Sequence, residues 1–268
     1  MRPENIHTAL ADRQSVAAKP VARRAPVTAK PRCLVIVPAY NEGDSIGKLI
    51  DRLQRSLPEM DVLVVDDGST DHTANLARKR SNILCLPFNL GIGGAMQTGY
   101  RYASLHGYDV AIQVDGDGQH RPCEVRKLVD IITSGQADLA VGSRFLNDTG
   151  YRQQPLRSIG SWILRTMLRA LVSRDITDCT SGFRAANRRV IRAFAHWYPE
   201  DYPEPEVILL LHRSGYQVQE VPVSMRQRRN GASSINSVGG VFYVMKVAFC
   251  LILDLVRQPW DNRKVNGK

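Results

Sequence analysis

Apolar residues come along this chain in short unbroken runs, each stopped by a polar or glycine-rich cluster and followed by helical spacing. Cys33-Leu34-Val35-Ile36-Val37 runs into Pro38-Ala39-Tyr40-Asn41-Glu42, and from Ser45 onward Ile46, Leu49, Ile50 and Leu53 share one helical face. Asp61-Val62-Leu63-Val64-Val65 delivers Asp66-Asp67-Gly68-Ser69-Thr70-Asp71 ahead of a helix beginning near His72. A third run at 83–86 precedes Asn89-Leu90-Gly91-Ile92-Gly93-Gly94-Ala95 at another helix start, and a fourth at 109–114 ends in Asp115. A fifth follows at 139–142. The alternation predicts an α/β domain built on a mostly parallel sheet. In open sheets of this kind ligands bind outside the carboxyl ends of the strands. Four successive strands place polar or glycine-rich segments at that edge.

The fourth of these carries the most chemistry. In Val114-Asp115-Gly116-Asp117-Gly118-Gln119-His120, two carboxylates and an amide oxygen alternate with small residues at a strand end. Hard cations such as Mg²⁺ or Mn²⁺ take oxygen ligands of this type, completed by water and substrate phosphates. Asp115, Asp117 and Gln119 are therefore the metal candidates. His120 either orients a neighbour or is a polar loop residue. Asp66 and Asp67 close another strand, with Asp71 or Thr70 better placed to cap the following helix. Gly93 belongs to a helix start that favours anions or, alternatively, to a glycine-rich turn needed only for its geometry. Arg144 and Arg184 follow strand-like or glycine-containing segments where a guanidinium fork suits phosphate.

Taken together, VPAYNE (37–42), VVDDGSTD (64–71), NLGIGGA (89–95) and QVDGDGQH (113–120) resemble the family 2 glycosyltransferases of the GT-A fold. VGSRF (141–145), DCTSGFRA (178–185) and EVPVSMRQR (220–228) resemble the dolichyl-phosphate mannose synthase branch, which includes bacterial enzymes acting on polyprenyl phosphate. The likeness spans roughly residues 32–236. It implies a GT-A (Rossmann-like) domain moving a hexose, with inversion, from a UDP- or GDP-sugar. By this resemblance Asp66 accepts a hydrogen bond from the nucleobase, and Pro38, Ala39, Tyr40 and Glu42 line the same pocket. Asp117 holds the metal against the donor diphosphate, and Asp115 shares the metal or its ribose side. A basic loop containing Arg228 and Arg229 closes over a phosphate, and Asp178 lies near the reacting carbon. Glu204 and Glu206 are alternative acids.

The acid pair usual in transferases that act on sugar hydroxyls is missing, and this bears on the acceptor. A hydroxyl must lose a proton to attack and calls for a general base. A phosphate monoester, with its second pKa of about 6, is already mostly dianionic at neutral pH. Arginines without an acid pair favour a polyprenyl phosphate acceptor. The alternatives are transfer to a sugar hydroxyl in a cell-surface glycan and, from another class, a catalytically silent nucleotide-binding membrane adaptor.

Composition changes this picture in two places. The formal charge of +10 suits anionic substrates and an anionic membrane surface, and no nucleic-acid motif accompanies it. The five cysteines have no C-x-x-C spacing, so neither a zinc site nor a disulfide framework is indicated, and Cys33, Cys85 and Cys250 read as small core residues. The division expected is a basic disordered tail (1–31), a glycosyltransferase domain (32–236), an apolar helix (237–258) and a flexible end (259–268). In the apolar helix, Lys246 and Asp254 project within roughly 80° of each other. Each would cost about 2.5–3.5 kcal/mol at the centre of a bilayer span. The reading is a helix lying in the membrane interface or docked on a small membrane partner, with a buried core helix as the alternative. The enzyme is then expected in the cytoplasm, peripheral to the inner face of the membrane.

Overall fold

The computed structural model describes residues 30–146, 155–172, 176–201, 203–226 and 237–256, with the side chains of 155–159 and 237–244 outside that description. Among the described residues seven strands form one sheet: β1 (Cys33–Ala39), β2 (Asp61–Asp66), β3 (Asn82–Cys85), β4 (Val110–Gln113), β5 (Leu139–Ser143), β6 (Arg184–Asn187) and β7 (Val218–Pro222). The helices are α1 (Ile46–Ser56), α2 (Thr73–Arg78), α3 (Gly91–Leu105), α4 (Val125–Thr133), α5 (Pro155–Val172), α6 (Arg188–His196), α7 (Pro203–Arg213) and α8 (Ser237–Val256). Strand order is β3-β2-β1-β4-β6-β5-β7.

Strand alternation divides the core. Val35 and Val37 of β1 face α1 and α4, through Leu49, Leu53, Leu128 and Ile132. Leu34 and Ile36 face α3 and α6, through Met96, Tyr100, Val190 and Phe194. All four apolar positions expected on the inner face of α1 are buried. Because both sheet faces are covered, the strands read as continuous apolar runs.

The sheet is parallel from β3 to β4 and between β5 and β7, but β6 runs antiparallel to both its neighbours. Its sequence, Arg-Ala-Ala-Asn, has no β-branched or aromatic residue, so no strand signal marked it. The reversal has a consequence for the site. The 176–183 segment entering β6 sits at the same sheet edge as the carboxyl ends of β4 and β5, with Arg184 paired to Gln113.

One expectation needs correction. Cys85 is exposed, because β3 is an edge strand of the sheet, whereas Cys33 is buried and Cys250 half-buried. On the polar edge of α8, Asp254 turns into the protein while Lys246 stays at the surface. Asp254 is buried, its carbonyl accepts from Arg213 of α7, and Lys246 pairs with Asp201. Val247 and Leu251 pack with Leu164 and Leu168 of α5 and with Ile208 and Leu209 of α7 in a small separate core. Met245, Phe249, Ile252, Leu253 and Val256 remain on the outer face, all exposed. Among the described residues no helix is long and apolar enough to cross a membrane.

Candidate active site

The ends of β1 and β2 build one half of the site. Ala39 and Asp66 are in register, and the Asp67 amide donates to the Ala39 carbonyl at 2.8 Å. Asp67 accepts from the Leu90 amide at 2.8 Å, which draws the turn before α3 to this edge. Asp66 is 3% exposed, and its Oδ1 has no hydrogen-bond partner among the described residues. A buried carboxylate oxygen left unmade costs about 1–3 kcal/mol or more, so it calls for an N–H from a ligand. The chain after β1 bends through Asn41, whose φ of 54° is in the left-handed region. That bend is held from β2's loop: the Asn41 amide donates to Ser69 Oγ, and the Thr70 amide to Asn41 Oδ1, each at 2.9 Å. Asp71 accepts from the amides of Gly43 and Thr73, both at 2.9 Å. Burial opposes ionisation of Asp71, but these hydrogen bonds outweigh it and hold the carboxyl below its ordinary range. Tyr40 is exposed beside this bend, and Glu42 Oε2 lies 2.7 Å from the Ser45 hydroxyl.

Gly93 is used differently from an anion cradle. Its amide donates to the Glu200 carbonyl at 3.1 Å, and an added Cβ would lie 2.1 Å from the Pro199 carbonyl oxygen. It is a glycine because two backbones touch there.

The second half is the β4 exit. Asp115 is gripped on several sides. Gln113 Nε2 donates to its Oδ1 at 3.1 Å, while its own amide donates to His120 Nδ1 at 3.1 Å. His120 is buried and stacked on Phe183 at 4.6 Å, and its Nε2 lies 3.6 Å from Asp115 Oδ2. His120 thus orients Asp115. The Asp117 carboxylate receives both the Gln119 amide, at 3.0 Å, and Gln119 Nε2, at 2.7 Å. The loop is seated by Gly116, where a Cβ would come within 3.0 Å of the Pro38 carbonyl, and turned by Gly118 at φ 73°.

Whether this arrangement fits a divalent ion is answered by its donors and its shape. Among the described residues no group of three or more His, Cys, Asp or Glu side chains could hold a metal ion. Two carboxylates with ligand oxygens and water are nevertheless what Mg²⁺ or Mn²⁺ uses at a diphosphate. Space is kept open beside them by Gly182, where a Cβ would meet both Asp115 oxygens at 3.0 Å. The residues fit the ion. Gly182→Ala is expected to weaken Mn²⁺ binding by about 10–100-fold, as disturbance of residues outside a metal's ligands commonly does. Calorimetric titration of Mn²⁺ in the presence of nucleotide checks this.

Around the rim the acids and arginines sort themselves by burial. Asp178, 1% exposed, holds Arg144 in a fork, Nε to Oδ2 and Nη2 to Oδ1, both 2.7 Å. The Arg144 amide adds a third bond to Oδ2 at 3.1 Å. Arg184 lies beneath the site rather than on its rim. It is 1% exposed, donating through Nε to the Ser181 carbonyl and through Nη2 to the Glu204 carbonyl, while Nη1 finds no hydrogen-bond partner among the described residues. Glu204, half-buried at the start of α7, feels Arg184, Asp115 and Arg144, and burial pushes its carboxyl up. Glu206 is buried in the same helix turn. Arg228 and Arg229 lie outside the described residues. The chain leading to them is tied to the loop after β4: Met225 bridges to His120, and the Arg226 amide donates to the Gln119 carbonyl at 2.9 Å.

Sequence reasoning missed Gln113, Gly182 and Glu220 as supports of this site. Each stood inside a motif already quoted, but only the third dimension says what it touches.

The family model "Glycosyl transferase family 2" matches residues 34–194. A polyprenol monophosphomannose synthase of Mycolicibacterium smegmatis is 33% identical over 79% of this chain and 84% of its own length. An undecaprenyl-phosphate mannosyltransferase of Micrococcus luteus is 32% identical over 78% of this chain and 89% of its own. Among solved structures, glucosyl-3-phosphoglycerate synthase from Mycobacterium tuberculosis, crystallised with Mn²⁺, UDP and glucosyl-3-phosphoglycerate, superimposes with a TM-score of 0.65. It is 21% identical, covering 84% of this chain and 79% of that one, a likeness of fold.

Proposed function

The chain belongs to glycosyl transferase family 2, and on that premise we propose that it moves a hexose from a nucleotide diphosphate sugar to a polyprenyl phosphate. Support comes from the relatives, two of which are named for polyprenol or undecaprenyl phosphate mannosyl transfer. The observation that carries the acceptor is the state of Asp178. Both its oxygens are taken up by Arg144, so it is a poor base for a hydroxyl but a firm mount for a phosphate-binding cation.

Asp66 receives the nucleobase N–H, and Tyr40 with Pro38, Ala39 and Glu42 frames the nucleoside. Asp115, Asp117 and Gln119 would hold Mg²⁺ or Mn²⁺, which supplies charge neutralisation for the departing diphosphate. Arg144, with Arg228 or Arg229, places the acceptor phosphate behind the anomeric carbon. A phosphate oxygen bonds to that carbon as its bond to the donor diphosphate breaks, and the electron pair leaves with the diphosphate. Configuration inverts. Arg184 adds positive charge from below.

α8 supports a membrane-peripheral position. Its outer face is apolar, and Trp162 and Arg169 stand exposed on α5, an aromatic and a cation of the kind that seat at lipid interfaces. We place the enzyme on the cytoplasmic face, where anionic lipid meets a chain of +10 charge.

The deciding experiment is a panel of GDP- and UDP-hexoses with farnesyl phosphate or a soluble glycan, with Mg²⁺, Mn²⁺ or chelator. Product on farnesyl phosphate that disappears with chelator is expected. Product only on the glycan would reject the acceptor. In the same panel Asp66→Asn should raise the donor KM by roughly 10–100-fold, the worth of one hydrogen bond to a charged group, with little change in acceptor KM.

A further inference from the structure

Glu220, on β7, is used by none of the steps above, yet it is among the most heavily bonded acids of the protein. Its carboxylate accepts from the Asp178 amide at 2.7 Å, from the Thr177 amide at 2.8 Å and from Thr177 Oγ1 at 3.1 Å. Thr177 Oγ1 also lies 2.6 Å from Ser143 Oγ, which accepts from the Phe145 amide at 3.2 Å. A threonine hydroxyl has one proton. With that proton on Glu220, the Ser143 hydroxyl donates to Thr177, and the direction of the whole chain is set. Three elements meet in it: the exit of β5 carrying Arg144, the turn carrying Asp178, and β7.

We propose that Glu220 is a positioning residue for glycosyl transfer, fixing the Thr177–Asp178 turn so that Asp178 presents the Arg144 guanidinium to the acceptor phosphate. The idea rests on the acceptor reading given above. Asp178 has two backbone-anchored constraints: its amide is pinned by Glu220 and its carboxylate is aligned with the Arg144 amide and fork. Burial pushes the Glu220 carboxyl up, while the hydrogen bonds from Thr177 and Asp178 favour its ionised form. A glutamine at 220 would turn an N–H₂ group toward one of the two amides it must accept from. The turn would then shift, and the guanidinium with it. Displacement of a positioning group by about 1 Å costs on the order of 10²-fold in rate.

The test uses the full chain with farnesyl phosphate. For Glu220→Gln the acceptor KM is expected to rise about 10-fold and kcat to fall about 10-fold, matching that geometric cost, with donor KM unchanged. Thr177→Val should share the defect in smaller measure, and Thr177→Ser, which keeps the hydroxyl, should restore wild-type behaviour. The Arg144 Nε–H resonance in a ¹⁵N spectrum supplies a readout apart from turnover. It should be slow to exchange in the wild type, where Asp178 holds it, and fast in Glu220→Gln. An unchanged acceptor KM, or an equal change in donor KM, in a folded variant would overturn the proposal. If Glu220→Gln does not fold, Thr177→Val alone decides by the same criteria. A wild type that glycosylates only sugar hydroxyls would sink the acceptor reading instead, and the exchange measurement would still judge Glu220.

Discussion

Asp117→Asn should lower turnover by roughly 10²–10³-fold, the scale set by removing one well-placed charge stabiliser from an active site, while the fold persists. Two effects combine. The substitution removes a full negative charge from the donor set for the divalent ion, where hard oxygen anions dominate affinity. It also breaks a local match, because the present carboxylate accepts from both the amide and the side chain of Gln119. An asparagine would set one N–H₂ against those donors. Mn²⁺ affinity and kcat should fall together, and binding of nucleoside through Asp66 should survive. Asp117 lies in a partly buried loop outside the core, so thermal unfolding should move little. Activity within threefold of wild type would remove the metal from the mechanism.

Replacing Phe249 and Ile252 together by glutamate is expected to free the enzyme from vesicles. Each fully buried apolar side chain of this size is worth about 1.5–3 kcal/mol. Losing two should lower partition into anionic vesicles by roughly 10²-fold or more, before any repulsion between the new carboxylates and the lipid. Both positions are more than half exposed, so the free protein should fold as before. Turnover of short, soluble farnesyl phosphate should stay close to wild type while turnover of vesicle-borne long-chain acceptor drops. Raising the salt should weaken the wild type's binding only in part, since screening touches the arginines and not the apolar face. A double variant that still floats with vesicles would assign α8's outer face to something other than lipid.

How much of this was legible in the sequence depended on the range of the interaction. The strands β1, β2 and β4 announced themselves because both sheet faces are covered, and α1 because its four inward positions keep strict spacing. The Asp115-to-His120 segment was readable because its residues act on near neighbours: four of its hydrogen bonds and contacts lie within five positions. Residues acting across the fold were not readable. Nothing in the sequence near Glu220 says that its partners are more than forty positions earlier. Arg184 had the composition of a phosphate ligand, yet an antiparallel strand without β-branched residues carried it under the sheet edge. For α8 the spacing of Lys246 and Asp254 was readable, but the burial of Asp254 against Arg213 of α7 was not.

The reversed strand β6 leaves one further mark on the enzyme. Gly182, which abuts Asp115, and Asp178, which mounts Arg144, stand four residues apart on a single stretch of chain. Fully extended, four residues reach about 14 Å at most. On the proposed mechanism, the separation between the place where the leaving group departs and the place where the nucleophile waits is thereby written in peptide bonds. Such a ruler cannot stretch: lengthening the segment by a single residue would leave both grips intact and put them out of step.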